Sequence, residues 1–238
     1  MRCDFDEIID RKQNYAAKIE EAHLHYGTND VIPLWIADMD FPTARPIIDA
    51  IKARATQGIF GYTYRPDAYF QVAADWQRER NGHTHDTAKM AFAPGIIPGM
   101  RIFLNLFTAP GDKILIQQPV YHPFEDIARN TGRALVVNEL VRDENGFYTM
   151  NLEDFERKAA SGVKYFILCN PHNPVGRVWT KAELRGVGDI CAAYGIGILS
   201  DEIHSDLMLG ESKHTVTASV SPAIGALTTT FIGASKTF

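Results

Sequence analysis

The stretch KYFILCNPHNPVGRVWTKAELRGVGDICAAYGIGILSDEIH occupies residues 164–204. It contains two continuous apolar runs, 164–169 and 196–199, with a segment of helical pattern between them. Thr180 and Glu183 have the spacing of a capping box, so a helix is predicted to open there and run to Tyr194. Apolar runs that do not alternate suit strands covered on both faces, as in a parallel sheet flanked by helices. A strand–helix–strand unit of this kind argues for an α/β fold.

Working outward, the same alternation extends over most of the chain. Further strands are predicted at 113–116, after the turn Pro110-Gly111-Asp112, at 134–137 after Gly132, and at 228–232. Asn151 can cap a helix through Phe155 to Ala160. Helical patterns occupy 67–80, ending before Asn81-Gly82, and a stretch from Pro98 that carries Met100, Phe103 and Leu106. Another carries Ile47, Ile48, Ile51 and Ala55, with Thr43 as its cap. The fold expected is a three-layer α/β/α arrangement on a mostly parallel sheet. Residues 1–42 read differently, with a helical pattern near 5–19 and then a polar stretch holding Pro33 and Pro42. They are expected to form an N-terminal arm belonging to a small domain, with residues 43–238 as the large, ligand-binding domain.

Composition narrows the function. The net charge of −5 offers no basic field for nucleic acid or an anionic membrane. Cys3, Cys169 and Cys191 are odd in number and widely spaced, which suggests neither a disulfide framework nor a zinc site and fits a reducing cytoplasm. Acidic residues come too early in MRCDFDE for a secretory signal, and no apolar segment approaches the length of a membrane span. DEIH at 201–204 has the form of a helicase box, but no GxxxxGK[ST] loop accompanies it. Gly195 and Gly197 precede a strand and lack the third glycine of a dinucleotide fingerprint. The pairs His23/His25 and His83/His85 lack the further ligands a metal would need, so no metal is expected.

Four segments at strand ends or helix starts carry chemistry. APGIIPG at 93–99 sets a glycine turn before a helix, where free amides and the dipole suit a phosphate. QPVYHPF at 118–124 offers Tyr121 as an aromatic to stack on a flat ring. NPHNPVGRVW at 170–179 is a rigid loop that can present an asparagine amide to a ligand oxygen. The last segment is a pair, SDEIH at 200–204 and GASKTF at 233–238. It places Asp201 and Lys236 at the ends of apolar strands, where the carboxyl needs a partner and the amine could bond an aldehyde. One ligand supplies a phosphate, a flat ring, a ring oxygen, a ring nitrogen and an aldehyde: pyridoxal 5′-phosphate.

With these motifs in this order, the chain resembles the fold-type I pyridoxal-phosphate enzymes of the class I/II aminotransferase superfamily. Within it, the chain is most similar to the cystathionine β-lyase-like C–S lyases of the MalY/PatB type. LWIADMDF at 34–41 and FGYT at 60–63 share that resemblance. It implies that Lys236 bonds the cofactor and shuttles a proton, and that Asp201 partners the pyridine nitrogen. Asn173 would bind the ring hydroxyl with His204 beside it, and Tyr121 would stack on the ring. The backbone of Ile96 and Ile97, with Ser235, would cradle the phosphate. Tyr62 would reach the phosphate of the other subunit, which implies a homodimer. Two positions depart from the common pattern: His204 stands where ordinary aminotransferases usually have tyrosine, and His122 where some relatives carry a second tyrosine. Trp35, Asp38 and Asp40 are open between lining a substrate pocket and fixing the arm.

The resemblance implies a lyase cleaving cystathionine or a related cysteine thioether to pyruvate, ammonia and a thiol. An aminotransferase is the alternative on the same residues, and an inactive fragment or interaction protein the second alternative. Members of the family extend well past their lysine, so the chain is expected to be truncated after Lys236. It would then lack the C-terminal part of the small domain and the arginine that grips a substrate carboxylate; if these 238 residues were the whole product, it is expected to bind substrate poorly and not to form a stable dimer.

Overall fold

A computed structural model describes residues 4–238; Cys3 lies outside the described residues. The chain divides between Tyr64 and Arg65 into two compact units, Phe238 being grouped with the first. The change in sequence pattern comes earlier, at Thr43.

Among the described residues, the N-terminal unit has three α-helices: α1 (Ala17–Glu20), α2 (Ala22–Tyr26) and α3 (Arg45–Thr56). Of the helix expected near 5–19 only the end forms, as the start of α1; residues 5–16 are not helical. Gln13 and Tyr15 adopt positive φ, and the Asp10 and Asn14 side chains accept the Lys12 and Ala16 amides, so local turns replace the helical ladder. Thr43 is not the cap of α3 either; Ala44 holds that position without a side-chain hydrogen bond, and a proline lies in the first turn. The unit is tied together by ions. Arg11 bonds Asp38 and Asp40, and the buried Lys18 ammonium reaches Asp40 Oδ2 at 2.7 Å and the Asp38 carbonyl at 3.0 Å. Trp35 Nε1 donates to the Lys18 carbonyl at 3.0 Å. Trp35, Asp38 and Asp40 therefore fix this unit.

The second unit, Arg65–Thr237, is the α/β body. Its sheet comprises β1 (Lys113–Gln118), β2 (Ala134–Glu139), β5 (Val163–Cys169), β6 (Gly197–Asp201) and β7 (Thr228–Phe231), ordered β2-β1-β5-β6-β7. Every pairing is parallel. A small antiparallel hairpin, β3 (Val141–Arg142) and β4 (Tyr148–Thr149), stands apart. Helices α4 (Asp67–Asn81), α5 (Ile96–Phe107), α6 (Pro123–Asn130), α7 (Leu152–Ala159), α8 (Lys181–Tyr194) and α9 (Pro222–Leu227) complete it.

The two-residue period of the strands sorts the core into two layers. Leu115, Phe166, Leu168 and Ile198 pack with Phe155 of α7, Leu184 and Val187 of α8 and Ile224 of α9. Ile114, Ile116, Ile167 and Leu199 pack with Met100 and Leu104 of α5 and Phe124 and Ile127 of α6. Both faces of the sheet are covered, so the three-layer architecture is as expected. The Thr180/Glu183 capping box and the Asn151 cap are both present. Helix α5 opens at Ile96, two residues ahead of the predicted start, because Pro98 falls in the first turn, where its missing N–H has no helical acceptor to lose. The stretch QPVYHPF at 118–124 runs directly into a helix not anticipated from the sequence, since Pro123 opens α6, and Phe124 is fully buried beneath it.

Candidate active site

Because the strands are parallel, their carboxyl ends lie along one edge, and the order β2-β1-β5 makes a switch point between β1 and β5. The loops after β1 and β5 flank that point. They are joined by His172, 2% exposed, whose Nε2 lies 2.8 Å from the Pro119 carbonyl. Burial pushes the His172 pKa down to about 4, so the ring is neutral and donates this bond. His172 thereby ties the loop carrying Tyr121 to the loop carrying Asn173. Tyr121 stands edge-on to His122 and Phe124, with centroids 5.5 and 6.0 Å away, and its ring is partly exposed. The Asn173 backbone N–H donates to Cys169 Sγ at 3.4 Å.

Asp201 is the last residue of β6, in register with Cys169 on one side and Phe231 on the other. It is 5% exposed, and its Oδ1 accepts the Ile203 amide at 3.1 Å. Among the described residues it takes no other side-chain hydrogen bond. Burial pushes its pKa up to about 7, against the opposing pull of the Ile203 N–H; Glu202 adds to the rise and Lys236 moderates it. Lys236 ends a 3-10 turn, Ala234–Lys236, three residues past β7, and its charge is felt by both Asp201 and His204. His204 is half-buried, and burial first, then Lys236, lowers its pKa. The structure thus brings Asp201, His204 and Lys236 into one electrostatic neighbourhood.

The start of α5 belongs to the same edge. Gly95 precedes it at φ 146°, with no side-chain cap, which leaves the Ile96 and Ile97 amides without an intrahelical acceptor. A Cβ placed on Gly233 would lie 3.7 Å from Ile203 Cδ1 and 4.0 Å from Ile96 Cδ1, so α5, the turn after β6 and the Lys236 turn converge. Ser235 is exposed on that turn. Tyr62 belongs to the N-terminal unit and is fully exposed.

These residues fit pyridoxal 5′-phosphate. An underbonded buried carboxyl suits a protonated ring nitrogen, uncapped amides at a helix start suit a phosphate, and an amine beside them suits an aldehyde. Three further groups support the site through partners that the motifs do not reveal. Glu202, fully buried, accepts from Ser200 Oγ (2.8 Å), the Thr217 amide (3.0 Å) and His214 Nε2 (2.8 Å). Asn170, also buried, donates to the Thr215 carbonyl and Thr217 Oγ1. Asp206 binds Trp76 and Thr237. Asn170 and Glu202 lie inside the quoted motifs and Asp206 two residues past one of them, but apart from Ser200 their partners lie far along the chain, so nothing local marks these roles. Among the described residues, no cluster of three or more metal-ligating side chains occurs, and no helix is long and apolar enough to cross a membrane.

Residues 29–238 match the family described as aminotransferase class I and II. Cystathionine beta-lyase PatB of Bacillus subtilis is 37% identical over 236 residues, which is 99% of this chain and 61% of that protein. Among solved structures, cystalysin from Treponema denticola, which contains a pyridoxal 5′-phosphate cofactor, superposes with a TM-score of 0.94 at 33% identity, over 100% of this chain and 61% of that one. The PLP-bound C–S lyase from Staphylococcus hominis gives 0.91 at 31% identity, over 100% and 60%. The chain therefore spans about three-fifths of the length of the relatives it matches. By the extent of the match and the arrangement of its strand-end residues, this chain belongs to the class I and II aminotransferase family.

Proposed function

We propose that this chain is the greater part of a pyridoxal-phosphate-dependent carbon–sulfur β-lyase that cleaves cystathionine or a related cysteine thioether to pyruvate, ammonia and a thiol. The observation that carries the reading is the underbonded Asp201 carboxyl at the end of β6, within electrostatic reach of the Lys236 amine. The choice of a lyase over an amino-group transfer rests on similarity to PatB and to the C–S lyase structures.

Lys236 would hold the cofactor through its aldehyde, Asp201 through the ring nitrogen and Asn173 through the ring hydroxyl, with His204 beside it. Tyr121 would cover the ring face. The Ile96 and Ile97 amides and the Ser235 hydroxyl would take the phosphate, joined by Tyr62 from the partner subunit. When bound, the cofactor supplies an electron sink for negative charge at the substrate α-carbon. Released when the substrate's own amine takes its place, Lys236 Nζ would be the base that takes the α-proton. Asp201 is suited to face a cationic nitrogen because burial makes its own charge costly without one. Neutral His172 holds the Tyr121 and Asn173 loops at a common separation. A homodimer is supported by exposed Tyr62 and by exposed Ile51, Ile59 and Phe60 in the N-terminal unit. A cytoplasmic location is supported by the free thiols of Cys169 and Cys191.

The test is to mix the full-length protein with pyridoxal 5′-phosphate and L-cystathionine and assay pyruvate with no keto acid present. Pyruvate release that Lys236→Ala abolishes is the expected result. Amino-group transfer only when a keto acid is supplied would overturn the lyase reading, and neither activity would overturn both.

A further inference from the structure

Lys236 must be held at a defined place relative to Asp201 and His204, yet its own turn is weakly anchored. The 3-10 turn Ala234–Lys236 has no side-chain cap, and Gly233 and Ser235 are exposed. The residue that follows is bound: the Thr237 hydroxyl donates to Asp206 Oδ2 at 2.9 Å. Asp206 has a side chain only 9% exposed, and its two oxygens also accept the Trp76 indole N–H from α4, at 3.1 and 3.0 Å. Arg80 approaches it at 3.7 Å. Asp206 belongs to the turn that carries His204, and that turn is closed by Ser205 N–H to the Glu202 carbonyl (3.0 Å) and Leu207 N–H to the His204 carbonyl (2.9 Å). One carboxylate therefore links the turn after β6, the turn after β7 and helix α4. A carboxylate is an acceptor only, and here two donors from different elements meet it.

We propose that Asp206 is a positioning residue that, through Thr237, fixes Lys236 against Asp201 and His204. It need not touch cofactor or substrate. The role rests on the reading of Lys236 as the cofactor-bonding amine.

The experiment measures how fast Lys236 in the cofactor-free full-length protein is captured by pyridoxal 5′-phosphate, using borohydride quenching and peptide mass spectrometry, alongside the melting temperature of each cofactor-free variant. Thr237→Val removes the hydroxyl at nearly constant volume. It is expected to slow capture about tenfold, the worth of one hydrogen bond to a charged group. Its melting temperature should fall by no more than the few degrees one such bond is worth, and Thr237→Ser should restore the rate. Asp206→Asn should reproduce the slowing, because an amide cannot accept from both Trp76 and Thr237 on equal terms. Capture in Thr237→Val equal to the parent would overturn the inference. So would slowing that Thr237→Ser does not restore, or equal slowing in a variant that loses as much stability elsewhere in the α/β body. Absence of capture at Lys236 in the parent would instead refute the assignment of Lys236, and the inference with it.

Discussion

Replacing Asp201 with asparagine should make the cofactor-free protein more stable at neutral pH. Asp201 is 5% exposed, and burial is the first cause that raises its pKa from 3.8 to about 7, with the Ile203 N–H opposing it, Glu202 reinforcing it and Lys236 opposing it. A difference of about three units at about 1.4 kcal/mol each amounts to ~4 kcal/mol. The folded-state value is the raised one, so the folded protein holds this proton more tightly than the unfolded chain. The associated stability is fully present below pH 3.8 and is lost as the pH rises through about 7. Asparagine carries no charge at any pH and can accept the same Ile203 amide. The variant should therefore match the parent below about pH 4 and exceed it by up to ~4 kcal/mol above about pH 7. Urea denaturation of the two cofactor-free proteins over a pH series measures this. A difference that does not change with pH, or a variant less stable than the parent at alkaline pH, would refute the argument. The same substitution should weaken cofactor binding, which makes Asp201 a case of stability given up for function.

Two further outcomes test the packing around the site. Glu202→Ala leaves the Thr217 amide, the Ser200 hydroxyl and the His214 imidazole without their acceptor in a fully buried place, and should cost at least ~3 kcal/mol in urea denaturation; a loss under ~1 kcal/mol would show that the network relaxes or admits water. Gly225→Ala in α9 would put a Cβ 2.6 Å from the carbonyl oxygen of Ala218, which lies in the 3-10 turn Thr217–Ser219. That oxygen is backbone and cannot swing aside, so a loss of about 1–3 kcal/mol is expected, and a neutral result would show that α9 shifts freely.

Legibility in the sequence followed the range of the forces involved. Strands β5 and β6 read directly because both of their faces are buried, which demands an unbroken apolar run. The Thr180 capping box read directly because its partners are three residues apart. Residues 5–16 misled because an apolar spacing is only permissive; Asp10 and Asn14 offer the backbone competing local bonds. Helix α6 was hidden by Pro119 and Pro123, which mark a loop in one place and a helix start in the other.

The amino-acid order alone was enough to establish the α/β class, the strand-end loops and the residue types a pyridoxal-phosphate site needs. Each of these follows from local period, capping or side-chain chemistry. It could not say that His172 would bridge to Pro119, that Glu202 would gather His214 and Thr217, or that Asp206 would join Trp76 to Thr237. Those pairings span from about a dozen to 130 residues. They arise only when parallel strands bring their carboxyl ends to one edge and burial leaves each polar group to find its partner there.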